Sequence, residues 1–205
     1  MKIVAVSQRV DFYPDRNERR DALDQKLVQF LLDAGFLPIP IPNCLSMRPC
    51  EGISQQVGIS KWITNINPHA VLLSGGNDID SCQERDNTEN WLLDYAEQNK
   101  LPVLGICRGM QMMGVWAGVK LNIASQHIRT RHLVTGEIQR EVNSYHNQVI
   151  DGCPQNFSIL ASSQDGEIEA IRHQHLPWEG WMWHPEREEI FHSYDIQRIK
   201  SLFGN

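Results

Sequence analysis

Two short segments hold residue types and spacings that suit covalent chemistry. The first is Gly105-Ile106-Cys107-Arg108-Gly109. An apolar run precedes it and an amphipathic run follows, so it falls where a buried strand meets a helix. G-x-C-x-G at such a junction is the cysteine counterpart of the serine elbow. A tight turn holds the nucleophile in strained backbone, and flanking glycines let neighbouring chain pass closely. The free N–H groups and positive end of the helix favour thiolate and an oxyanion. The Arg108 N–H is one candidate oxyanion donor, and the turn at Gly75-Gly76 is a candidate source of the other. A free cysteine is otherwise a small buried hydrophobe, which is the reading for Cys44, Cys50, Cys82 and Cys153. The second segment is Trp183-His184-Pro185-Glu186. In extended chain, residues two apart point the same way, so Glu186 can hold the His184 imidazole in its reactive tautomer. The competing reading is a surface histidine beside an acidic stretch, since Glu188 and Glu189 follow.

Other histidines compete with these. His173-x-His175 lacks a carboxylate or cysteine at convincing metal-ligand spacing and reads as surface. His127 and His132 frame Ile128-Arg129-Thr130-Arg131, a basic spot that suits an anionic substrate or, more simply, a solvated loop. His146 lies in the polar break Asn143-Ser144-Tyr145-His146-Asn147-Gln148, which suits either a site lining or a plain turn. Trp181 and Trp183 share one strand face and read as core, with Trp178 near the rim.

The elements that must position these residues change in texture along the chain. In the first half, Lys2–Val6 reads as a strand and Glu18–Ala34 as a helix, with Gly35 as its stop. Leu37–Ile41, studded with Pro38 and Pro40, reads as an edge strand. Val57–Ile66 reads as a helix, Ala70–Ser74 as a buried strand and Thr88–Gln98 as a helix. Pro102–Ile106 reads as a second buried strand and Gly109–Gly118 as a helix. Alternation of this kind predicts an α/β fold with a mostly parallel sheet covered by helices on both faces. After Gly118 the pattern predicts short strands at His132–Ile138, Glu141–Val149, Phe157–Ala161, Ile168–Arg172 and Gly180–Trp183. Phe191–Phe203 closes as a helix. No repeat, linker or composition break divides residues 1–205, so a single domain with a β-rich C-terminal half is expected.

Composition bounds the rest. The chain has 205 residues, 41% of them hydrophobic, and a net charge of −6. That charge discourages nucleic-acid or anionic-membrane partners. No apolar run approaches the roughly 18 residues of a membrane helix. The five cysteines are odd in number and form no CxxC pair, which argues against a disulfide framework or zinc ribbon. With no signal-like N-terminus, a cytoplasmic location is the expectation.

At these residues the chain resembles the class I glutamine amidotransferase superfamily, and within it the γ-glutamyl hydrolase branch (peptidase family C26). The resemblance rests on Ser7-Gln8-Arg9, Arg20 to Gln25, Leu73-Ser74-Gly75-Gly76-Asn77-Asp78, Arg85-Asp86 with Glu89, Leu104 to Gln111, Asn143-Ser144-Tyr145-His146 and Trp183-His184-Pro185-Glu186. It implies a flavodoxin-like fold and a Cys107–His184–Glu186 triad, with oxyanion donors on Gly76 and Arg108. It also implies substrate contacts from Gly75, Asn77, Gln111, Ser144, Tyr145 and His146. The implied reaction is hydrolysis of a γ-glutamyl amide through a γ-glutamyl thioester, with no metal or organic cofactor. The stretch from Asn77 to Arg85 is shorter than in γ-glutamyl-γ-aminobutyrate hydrolases, which makes the chain more similar to compact γ-glutamyl-CDP-amidate hydrolases. A glutaminase subunit passing ammonia to a synthetase carries the same triad and is the alternative; a non-catalytic binding module is the third reading. The Arg129/Arg131 segment is the expected contact for a phosphorylated leaving group.

Overall fold

The computed structural model describes residues 1–46, 58–124 and 127–204. Its spine is a nine-stranded mixed sheet. The N-terminal half supplies β1 (Lys2–Val6), β4 (Phe36–Pro40), β5 (Ala70–Leu73) and β6 (Val103–Ile106). The C-terminal half supplies β8 (Ile128–Gly136), β9 (Arg140–Tyr145), β11 (Phe157–Ser163), β12 (Ile168–His173) and β13 (Trp178–Trp181). Their order is β4-β1-β5-β6-β13-β12-β11-β8-β9. Pairing is parallel from β4 through β13, because β13 lies parallel to β6, and antiparallel from β13 to β9. Two hairpin-sized sheets, β2 (Arg9–Tyr13) with β3 (Glu18–Ala22) and β7 (Leu121–Ile123) with β10 (Gln148–Ile150), sit apart from the spine.

Helices cover both faces. α1 (Gln25–Asp33) and α5 (Ser193–Leu202) pack Leu27, Phe30, Leu31 and Ile199 against Val4, Val6, Leu72, Leu104 and Ile106. On the other face, α2 (Ile59–Ile66), α3 (Gln83–Asn99) and α4 (Arg108–Trp116) pack Ile63, Leu92, Leu93, Ala96 and Met110 against Ala5, Val71, Leu73 and Val103. β5 and β6 are buried along their whole length, as strands covered on both faces must be. The proline-bearing β4 is the outer strand, where missing N–H donors leave no ladder bond unmade.

Several expectations need correction. Glu18–Ala34 is not one helix: Glu18–Ala22 is a strand, and the helix starts after Asp24, whose Oδ1 accepts from the Lys26 N–H as an N-cap. The apolar spacing of Ala22 and Leu23 continues the helical register by chance, while the Asp24 cap sets the true start. Glu141–Val149 is two strands, broken at His146-Asn147. Trp178 is fully buried instead of near the rim. β13 lies inside the sheet between β6 and β12, and the Trp178 Nε1–H donates to the Leu101 carbonyl at 2.9 Å.

Candidate active site

The elbow forms at the carboxyl end of β6. Cys107 sits at φ 50°, ψ −105°, outside the ordinary allowed regions, which costs on the order of 1–3 kcal/mol and must be held by its surroundings. Its N–H donates to the Trp181 carbonyl at 2.7 Å and its carbonyl accepts from the Gln111 N–H at 3.1 Å, fixing the turn to β13 and to α4. A Cβ at Gly109 would run into the Leu73 carbonyl oxygen, so α4 approaches β5 closely only because that position is glycine.

The histidine arrives from β13. His184 Nδ1 lies 2.6 Å from Glu186 Oε1, and both side chains are buried. Asn143 on β9 grips the His184 backbone twice, donating to its carbonyl at 2.8 Å and accepting from its N–H at 2.9 Å. The Tyr145 ring stands edge-on to the imidazole, with centroids 5.6 Å apart. Burial disfavours the imidazolium, but the Glu186 carboxylate and the Cys107 sulfur outweigh it and raise the His184 pKa to about 9. With Nδ1 on Glu186, Nε2 is left for the sulfur. The arrangement can hold a thiolate–imidazolium pair and return a proton to a leaving group.

A turn from β5 closes the third side. A Cβ at Gly75 would stand 2.6 Å from His184 Cε1, so only glycine admits the imidazole there. The fully buried Arg85 donates to the carbonyls of Ser74 at 2.7 Å and Gly75 at 2.9 Å. In a trans peptide C=O and N–H point oppositely. Drawing the Gly75 carbonyl toward Arg85 therefore turns the Gly76 N–H the other way. Glu89, itself fully buried, joins this turn to the elbow: its Oε1 accepts from Ser7 Oγ at 2.7 Å and Arg85 Nε at 3.0 Å, and its Oε2 pairs with Arg108. Arg108 also pairs with Asp86. Burial pushes the Glu89 carboxyl up, but Arg108 and Arg85 prevail and hold it below the usual range. The Arg108 side chain is thus spent on α3, while its backbone N–H opens α4 beside Cys107, in the first turn where helix N–H groups lack intrahelical acceptors.

The residues expected to bind substrate are placed unevenly. Asn77 Oδ1 accepts from the Val10 N–H and its Nδ2 donates to the Val10 carbonyl, both at 2.8 Å, so the side chain ties β2 to the turn. Gln111 Nε2 donates to the Gln148 carbonyl at 2.8 Å, and Ser144 Oγ to the His127 carbonyl at 2.6 Å. Tyr145 is half-exposed beside His184. His146 is buried among His127 and Glu169. Arg131 pairs with Glu141 and Glu188, and Arg129 is exposed. His173 Nδ1 accepts from the N–H groups of His175 and Leu176, closing a turn. Residue-type reasoning missed the gripping role of Asn143 and the tie made by Ser7, Arg85 and Glu89. Only the resemblance drew attention to those positions.

Comparison with known proteins agrees with this architecture. The family described as glutamine amidotransferase class-I matches residues 46–194, and the chain belongs to that family. It is 29% identical to the γ-glutamyl-CDP-amidate hydrolase of Campylobacter jejuni, over 98% of this chain and 97% of that protein. It is 31% identical to the glutamine-hydrolyzing GMP synthase subunit of Pyrococcus abyssi, over 66% of this chain and 76% of that protein. A Thermoplasma acidophilum structure with a provisional GMP synthase assignment superposes with TM-score 0.73 at 20% identity, covering 100% of this chain and 93% of that one. The chain is therefore a glutamine-amidotransferase-type enzyme acting on C–N bonds. Family and relatives together favour the glutamine amidotransferase alternative over the γ-glutamyl hydrolase reading put first from sequence. Among the described residues, no helix is long and apolar enough to cross a membrane.

Proposed function

We propose that the chain is a glutaminase of the amidotransferase type, with Cys107 as nucleophile, His184 as general base and acid, and Glu186 as orienter. The observation that carries this reading is the strained Cys107 turn facing a buried His184–Glu186 pair. The sulfur attacks the γ-carbonyl of glutamine, and the Gly76 and Arg108 N–H groups receive the oxyanion. His184 protonates the departing nitrogen. Water, deprotonated by His184, then attacks the γ-glutamyl thioester and releases glutamate and Cys107. Ammonia is delivered to a synthetase partner, as the similarity to the Pyrococcus abyssi GMP synthase protein suggests. A second reading, hydrolysis of a γ-glutamyl-CDP-amidate type of substrate, is favoured by the near full-length match to the Campylobacter jejuni enzyme.

A panel of glutamine and γ-glutamyl amides, read by released glutamate, separates the two. The glutaminase reading expects turnover of glutamine, increased when a cognate synthetase and its acceptor are added. Turnover confined to larger γ-glutamyl amides overturns it. Both readings expect a glutamine-analogue electrophile to form its adduct on Cys107, located by peptide mass mapping. No adduct there removes the nucleophile assignment.

A further inference from the structure

Away from the Cys107–His184–Glu186 group, the antiparallel half of the sheet gathers a second cluster. His127 immediately precedes β8, His132 lies on β8, His146 immediately follows β9 and Glu169 lies on β12. Glu169, His127 and His146 are buried, and His132 is largely so. Glu169 Oε1 stands 3.3 Å from His127 Nδ1, 3.2 Å from His132 Nε2 and 3.3 Å from His146 Nε2. His127 Nδ1 and His146 Nε2 are 3.2 Å apart.

These distances are short, yet neither oxygen of Glu169 and not the His132 Nε2 makes an aligned hydrogen bond. His127 Nδ1 and His146 Nε2 are within hydrogen-bond geometry of each other, but a buried carboxylate and the His132 nitrogen left unpaired at such short range suit a shared point between them. A tetrahedral ion with bonds of about 2.0–2.1 Å spaces its ligand atoms roughly 3.3–3.4 Å apart, close to the separations of Glu169 Oε1 from the three nitrogens and of His127 from His146. The ligand atoms of His127, His132 and Glu169 all lie within 4.8 Å of one another. The surroundings match at His127, whereas the His146 Nδ1 is buried with no hydrogen-bond partner. His127 Nε2 lies 2.9 Å from Asp165 Oδ2, so the Nε2–H tautomer, which metal binding would select, turns the Nδ1 lone pair to the cluster. A metal-bound histidine commonly gives its other ring N–H to a carboxylate in this way. Ser163 Oγ donates in turn to Asp165. Glu169 and Asp165 together bring two negative charges, enough to balance a divalent cation. A cleft of about 370 Å³, lined by His127, Thr130, His132, Ser163 and Asp165 among others, gives a path from solvent.

We propose that His127, His132, His146 and Glu169 form a binding site for one divalent transition-metal ion, of which zinc is the type the donor set suits. Imidazole-rich sites with one carboxylate select such ions over magnesium or calcium. The ion ties β8, β9 and β12 together beside Ser144, whose Oγ already donates to the His127 carbonyl. It steadies the strand that carries Asn143 and Tyr145 to His184 and takes no part in the covalent steps.

The test uses full-length Cys107→Ser protein, stripped with chelator, so that the thiolate does not compete for metal. Titration with Co²⁺ or Zn²⁺ by calorimetry is expected to give one equivalent per chain, with a rise in Tm. Bound Co²⁺ is expected to show the intense visible bands of four-coordinate geometry. His132→Ala and Glu169→Gln are each expected to weaken binding by at least about tenfold. His175→Ala is expected to leave binding unchanged. The proposal is overturned by absence of stoichiometric binding in protein whose circular dichroism is native, or by retained affinity in either cluster variant. Because glutamate release is not the readout, failure here leaves the glutaminase reading standing.

Discussion

At the residue scale, the proposed chemistry rests on a few contacts within hydrogen-bond range. Replacing Cys107 by serine is expected to cost at least about a thousandfold in kcat, since removal of a member of such a group is rarely compensated by the others. Steady-state glutamate release measures it. The raised pKa of His184 has a direction that a titration can read. A histidine pKa lifted from 6.5 to about 9 in the folded chain gives a contribution to stability fully present below about pH 6.5. It is lost as pH rises through 9. The proposed thiolate–imidazolium pair disappears over the same alkaline range, so kcat/KM is expected to fall there. Glu186→Gln removes one of the groups holding the proton on the ring and is expected to move that alkaline limb to lower pH. An unmoved limb in kcat/KM against pH would mean that Glu186 does not set the His184 charge.

At the element scale, α3 and α4 hold the turn after β5 against the elbow after β6. Arg85 touches no reacting atom; it positions the Gly76 N–H through the Gly75 carbonyl. Arg85→Met is therefore expected to lower kcat by about a hundredfold, the scale of one lost oxyanion donor, with KM changed far less. A Lys at the same position restores one donor but not the fork, so partial recovery of kcat is expected from Arg85→Lys. Equal loss in kcat and KM would point to general disruption instead. Glu89 is the shared anion of two buried guanidiniums, and Glu89→Ala leaves both short of charge. Breaking a buried pair in this way costs about 3–5 kcal/mol, which urea denaturation monitored by circular dichroism measures as a lower midpoint. The same elements separate what local sequence could and could not show. The helix after the elbow was legible from its periodicity. The first turn of α3, from Gln83 to Asn87, was not, because its buried side is polar: Arg85 is there to reach Ser74 and Glu89, and apolar spacing is blind to that.

At the scale of the whole molecule, the sheet changes from parallel to antiparallel at β13, and the residues that build the proposed site come from both sides of that change. Cys107 follows β6, His184 follows β13, and Asn143 reaches across from the far strand β9. The strand that delivers the histidine is bonded on one edge to the strand that delivers the cysteine, through pairs such as Trp181 with Ile106. Changes at this contact are expected to act on both groups at once. Gly180→Val, which sets bulk against Met110 and Ile171, is expected to lower stability and kcat together; retained kcat in a folded variant would show that the two strands are positioned independently.

By itself the sequence determined most of the elements of the sheet and the helices that cover it, though not the strand Glu18–Ala22. Runs such as Ala70–Leu73 and Val103–Ile106 are too apolar to lie anywhere but in a covered sheet, and Cys107 between glycines at a strand end marks a tight turn into a helix. These are short-range facts, set by side-chain polarity and backbone sterics within a few residues. His184 and Glu186 do meet, but through the short 3-10 helix Pro185–Arg187 instead of the extended chain that the spacing assumed. Only the tertiary structure decided which distant groups meet. The parallel pairing of β13 with β6 across more than seventy residues, the grip of Asn143 on His184, the use of Arg108 to bind α3, and the gathering of His127, His132, His146 and Glu169 all depend on strand order. Strand order is fixed by the packing of whole faces, and no window along the chain contains that information.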